Sequence, residues 1–196
     1  MTVECRECRH NEFMRRMAIL ALIPLAFAAC SSGSNSATTL VPGQTAAPLP
    51  GEPPGVKTYT GLSHDHLDTS IAYPQSPPVG GDHSPAWQNC QYYDTSVPNE
   101  RAVHSLEHGA VWITYLPNTS QADRDVLRAL ATTGDHILVS EYLGQPAPIV
   151  ATAWGKQLYL QSVHDPELQQ FVDFFQSGAQ TPEAGVTCRH STDATT

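Results

Sequence analysis

Residues 103–115 read VHSLEHGAVWITY. The run Ala110–Tyr115 is short, β-branched and aromatic, which predicts a buried strand. Gly109 stands just before it and predicts a helix stop, because glycine adopts the left-handed backbone without a Cβ penalty. His104 and His108 are spaced i, i+4, so a single helical turn ending at the glycine places both on one face. Two imidazoles and the Glu107 carboxylate therefore abut a core strand. They form either a metal or proton-transfer site, or a polar network that braces the core.

The elements after this junction are readable from pattern. Ser120 and Asp123 form a capping pair that opens a helix, with Val126, Leu127 and Leu130 as its apolar stripe. HILVSEY (136–142) predicts a second strand. Pro146 and Pro148 break the chain, and IVATAW and LYLQSV then pair across Gly155-Lys156 as a hairpin. Asp165-Pro166 opens a last helix whose buried stripe is Leu168, Phe171, Val172 and Phe175. The order β-α-β-β-β-α predicts an α+β domain with helices packed on a small mixed sheet. A thioredoxin-like arrangement has a similar final half, but no Cys-x-x-Cys occurs in this part of the chain.

Upstream, residues 59–100 are rich in Pro, Gly, His and Tyr and have little periodicity. They predict a long ordered loop with one short strand near Ile71–Tyr73. A loop of that length within a folded domain is functional or is held by something. The globular part is expected to span 59–190, with 191–196 as a disordered tail.

The front of the chain reads as an address. Arg15 and Arg16 precede MAILALIPLAFAAC, a basic start followed by a short apolar run and small residues, as in a secretory signal peptide over 1–29. The run falls short of the about 20 residues a membrane helix needs. Phe27-Ala28-Ala29-Cys30 resembles a bacterial lipobox, with Phe27 where leucine is usual, and predicts lipidation of Cys30. Residues 1–13 precede this signal and fit a start codon assigned too early; they carry Cys5-x-x-Cys8, a zinc half-site with no second pair. Residues 30–58, rich in Ser, Thr, Ala, Pro and Gly, predict a flexible tether with a reach of roughly 30 Å. The expected location is the cell envelope, on the outer face of the cytoplasmic membrane, with the membrane as partner through Cys30.

The 196-residue chain has a formal net charge of -9, 15% charged and 40% hydrophobic residues. Four of its arginines lie within the first sixteen residues, so the body is more acidic still. Such a surface repels phosphate backbones, which argues against nucleic acid as a partner. No nucleotide cofactor is expected. Beyond Cys30 only Cys90 and Cys188 remain, and two lone cysteines in an oxidising compartment pair. Closing a loop of roughly 100 residues is worth about 4–5 kcal/mol in the chain-entropy model.

All but one of the nine histidines follow the leader. His136, His164 and His190 read as surface or hydrogen-bonded residues. His104 and His108 are candidate metal ligands, with His66 and His83 contributed by the loop. Glu107 is a candidate ligand, ring-orienting partner or general base. His-x-x-Glu-His is also the inverted zinc-peptidase motif, but that chemistry needs a sustained helix, and Gly109 cuts this one short. Every methionine precedes Cys30, so a thioether copper(I) site is excluded from the body. Imidazole and carboxylate suit Zn, Cu(II) or non-haem Fe. The alternatives are a non-catalytic envelope module with a metal-free His/Glu cluster, and a metal-dependent hydrolase or oxidoreductase.

DHLDTSIAYPQSPPVGGDHSPAWQNCQYYD, then NERAVHSLEHGAVWITY, and later VATAWGKQL and PEAGVTC, closely resemble the family catalogued as domain of unknown function three thousand one hundred and five. The resemblance covers nearly all of 59–189. Its motif positions fall on His66, Tyr73, Pro77, Pro78, Gly81, His83, His104, Glu107, His108 and Gly109, with His64 outside. Gln91 departs from a glycine common before the Tyr-Asp pair. Many members look like bacterial exported proteins or lipoproteins. The resemblance implies which residues matter and brings no established activity.

Overall fold

In chain order the elements are β1 (Lys57–Thr58), α1 (Asn99–Glu107), β2 (Val111–Tyr115), α2 (Gln121–Leu130), β3 (Ile137–Glu141), β4 (Ile149–Ala153), β5 (Lys156–Leu160) and α3 (Pro166–Phe175). They come from a computed structural model that describes residues 48–196. The expected signal peptide, the lipidation site Cys30 and Cys5-x-x-Cys8 lie outside the described residues.

The sheet runs β1-β5-β4-β2-β3. β2 and β3 are parallel, joined through α2, and the other pairings are antiparallel. The fold is thus α+β with a mixed sheet. Side chains alternate along β2 between two apolar clusters, as the period of a strand requires. Val111, Ile113 and Tyr115 join Leu127 of α2 and Leu168, Phe171, Val172 and Phe175 of α3. Trp112 instead joins Ala102, Val103 and Leu106 of α1. So α2 and α3 cover one face and α1 covers the other, and every residue of β2 is buried. A strand covered on both faces reads as a continuous apolar run.

Helix α1 is nine residues long, not the single turn expected. It does end at Gly109, whose φ is +99° and whose added Cβ would meet Ser177 Cα at 2.9 Å. Both conformation and crowding demand glycine there. α2 is capped as predicted, the Ser120 side chain accepting from the Asp123 amide. Its stripe is narrower than expected: Leu127 is buried and Leu130 packs on the core, but Val126 is exposed. The hairpin turns on Trp154-Gly155, one residue earlier than expected, since Ala153 pairs with Lys156.

No strand forms at Ile71–Tyr73. The loop is nonetheless ordered by hydrogen bonds to rigid elements. Gly155 N donates to Val79 O at 2.7 Å, Gln157 Nε2 to Pro77 O at 2.9 Å, and Ser105 Oγ to Gln88 O at 2.6 Å. Within the loop, Leu67 N and His83 O bond at 2.7 Å, which places His66 beside His83.

Both expected boundaries of the body shift outward. The tether ends before residue 58, because β1 pairs with β5 and Glu52 lies 3.1 Å from Lys156 Nζ with both side chains buried. A charge so buried needs its partner, which fixes this segment to the sheet. The segment 191–196 is docked: Asp193 accepts from Asn89 and Gln91, and Arg101 donates to the Ala194 carbonyl. Cys90 and Cys188 form a disulfide, with Cα atoms 5.4 Å apart.

Candidate functional site

The predicted ligands converge. α1 presents His104, Glu107 and His108 from its last turn and C-cap, and the loop brings His66 and His83 over them. Ligand atoms of His66, His83, His104 and Glu107 all lie within 4.8 Å of one another. So do those of His104, His108 and Glu183. The imidazoles of His66, His83 and His104 pack with mutual centroid distances of 4.8 Å.

Backbone carbonyls settle the tautomers. His83 Nδ1 lies 2.8 Å from Gly81 O, His104 Nδ1 2.6 Å from Ser84 O, and His108 Nδ1 2.8 Å from Thr187 O. A carbonyl oxygen only accepts, so each Nδ1 carries the proton and donates. In a neutral ring the Nε2 then holds a lone pair, and all three Nε2 atoms point into the cluster. Metal-binding histidines show the same arrangement, the outer nitrogen fixed by an acceptor and the inner one free.

What these lone pairs face is telling. His83 Nε2 and Glu107 Oε2 are 2.8 Å apart, yet both are buried and neither has a partner in hydrogen-bonding geometry. An imidazole lone pair set against a carboxylate repels it unless a cation or proton joins them. His104 Nε2 and His108 Nε2 face each other at 3.0 Å in hydrogen-bonding geometry, but with the proton of each neutral ring on Nδ1 neither has one to donate. Buried polar groups are otherwise almost always paired, so orphans at one point of a fold call for an explanation.

Burial disfavours the charged imidazoles. Desolvation pushes the His104 pKa down to about 4, with the Ser84 carbonyl opposing it and His108, His83 and His66 adding to it. Desolvation also lowers His108, against the Thr187 carbonyl and the carboxylates of Glu183 and Glu107. Both rings are therefore neutral near pH 7, the form that binds a metal.

Three features of the site escaped the sequence. His64 lies outside the motif, yet its Nδ1 is 3.9 Å from Glu107 Oε1. Glu183 reaches His108 Nε2 at 3.4 Å from a segment far along the chain. Trp87 flanks both helix histidines, with ring centroids 5.5 Å from His104 and 4.8 Å from His108. Glu183 stands within the quoted PEAGVTC stretch, and that was its only sequence signal. His136 is engaged elsewhere, at the Val186 carbonyl.

This arrangement is a His/Glu group that could hold a metal ion. Comparison with curated proteins and with solved structures gave no match. The family described as Protein of unknown function (DUF3105) matches residues 64–190, which include His64 and every ligand candidate from His66 to Glu183. The match spans more than half of the chain, and the chain belongs to the DUF3105 family.

Proposed function

We propose that the protein is a lipid-anchored domain of the bacterial cell envelope that binds one divalent transition-metal ion through His66, His83, His104 and Glu107. The observation that carries the metal is the 2.8 Å approach of His83 Nε2 to Glu107 Oε2, with neither atom hydrogen-bonded. Two further imidazoles at the same point supply the remaining donors. Imidazole and carboxylate suit Zn or Cu(II), and non-haem Fe among the alternatives. Glu107 serves as a ligand in this reading. As a general base it would need a substrate proton within reach, and its near neighbours are imidazoles. Extracytoplasmic placement draws support from the disulfide, since such bonds persist in oxidising compartments. The lipid anchor rests on the lipobox-like Phe27–Cys30.

The test is elemental analysis of the purified chain with its disulfide intact. One ion per chain is expected, none in His104→Ala/His108→Ala, and a full complement in His136→Ala. Absence of metal, with no thermal shift on adding Zn²⁺ or Cu²⁺, favours the metal-free polar network instead. Mass spectrometry of the mature N-terminus tests the anchor: a diacyl or triacyl Cys30 is expected, and an unmodified N-terminus elsewhere ends that part of the reading.

A further inference from the structure

The two His/Glu groups overlap in one residue. His66, His83, His104 and Glu107 make the first, and His104, His108 and Glu183 the second. His104 has one nitrogen to share, because Nδ1 is spent on the Ser84 carbonyl. One lone pair binds one ion at a time. The second group nonetheless has a cation requirement of its own. Its two Nε2 atoms face each other at 3.0 Å, and the Nδ1 of each ring is committed to a carbonyl. An ion in the first group leaves His108 unserved.

The groups differ in donor number and in the donor that meets solvent, since the His66 and Glu183 side chains are each 45% exposed. The first holds three imidazoles and a carboxylate, of which only His66 is open to solvent. The second closes on Glu183, whose side chain is 45% exposed and lies 3.4 Å from His108 Nε2. Glu183 is also fixed in place, since its amide donates to the Glu107 carbonyl at 3.1 Å. The last turn of α1 thus links the two carboxylates through the backbone.

Resting on the metal-binding reading above, we propose that the single ion has two mutually exclusive positions, and that the second, at His104, His108 and Glu183, is where the ion is loaded and released. Two neutral imidazoles and a solvent-facing carboxylate take a divalent ion of borderline softness such as Zn(II) or Cu(II). A three-ligand position keeps coordination open to a chelating donor from solution. Passage to the first group exchanges His108 and Glu183 for His66, His83 and Glu107, with His104 as the constant ligand. The first group offers four donors against three and is the resting position.

The experiment loads the full chain with Zn²⁺, and separately with Cu²⁺, then counts ions per chain and follows their transfer to a soluble chelator. One ion per chain is expected. Glu183→Gln should keep its ion with affinity within about threefold, while uptake and transfer slow by about tenfold, a rise of about 1.4 kcal/mol in the exchange barrier. Asp173→Asn, which removes an exposed carboxylate of α3, should exchange at the parent rate. Two ions per chain would overturn the proposal, as would a Glu183→Gln variant that exchanges at the parent rate. So would one that loses its ion altogether, because Glu183 would then belong to the resting position. A parent chain that binds neither metal overturns the metal-binding reading itself, a failure distinct from those three.

Discussion

The Nε2 atoms of His104 and His108 lie 3.0 Å apart, and the other nitrogen of each ring is committed to a backbone carbonyl. Neutral rings in these tautomers cannot hydrogen-bond to each other. A proton between them would charge one ring, and burial holds both pKa values low. The pair is thus set against itself at neutral pH until a cation arrives.

Glu107→Gln separates a ligand from a structural polar group. An amide in place of the carboxylate can donate to His83 Nε2, so the metal-free protein should gain about 1 kcal/mol, the net worth of a hydrogen bond. The stabilisation by Zn²⁺ should vanish in the same variant. Urea unfolding with and without Zn²⁺, against the parent in chelator, measures both.

The pH dependence of the metal-free protein follows from His104. Its folded pKa is about 4, below the ordinary histidine value of 6.5, so the unfolded chain takes up its proton first as pH falls. Its contribution is complete above pH 6.5 and is lost as pH falls to about 4. His108 acts in the same direction. Unfolding free energy measured in chelator should decline across that window, and His104→Gln should flatten the slope.

The disulfide joins the ligand-bearing loop to the segment that carries Thr187, the acceptor for His108 Nδ1. Cys90→Ser/Cys188→Ser should cost about 2–5 kcal/mol in denaturant unfolding. It should also slow ion transfer to a chelator at temperatures where the variant remains folded, because the outer acceptor of His108, a ligand of the loading position, is loosened. The affinity itself, set by His66, His83, His104 and Glu107, should stay near that of the parent. Titration under folded conditions reads the affinity apart from the stability.

Glu52 and Lys156 form a buried pair, reinforced by a 2.8 Å hydrogen bond from Lys156 Nζ to Thr58 Oγ1. Glu52→Ala strands the ammonium and should destabilise by about 3–5 kcal/mol. Replacing a residue of an unattached tether would be neutral. Chemical denaturation of the variant decides between the two.

The core was legible where burial and apolar character coincide. α3 shows its stripe at Leu168, Phe171, Val172 and Phe175, and all four are buried. α1 was underestimated because its buried positions include His104, Ser105 and Glu107, so a buried helical face did not read as an apolar one. β1 has two residues, too few to display a period. The four histidines of the site were found from spacing and from the loop that had to be held. Glu183 was not, since no local pattern connects it to His108 across 75 residues of chain. Asp193, which anchors the last segment through Asn89 and Gln91, is equally remote from its partners.

The carbonyl that orients His108 belongs to a residue 79 positions later in the chain. During synthesis the rings of His66, His83, His104 and His108 all emerge before the piece that aims the last of them. A nascent chain can carry the donors without the completed geometry. If the chain is exported and binds an ion as proposed, selection of the ion is made where the late segment folds home, under the metal supply of that compartment and not of the one in which translation began.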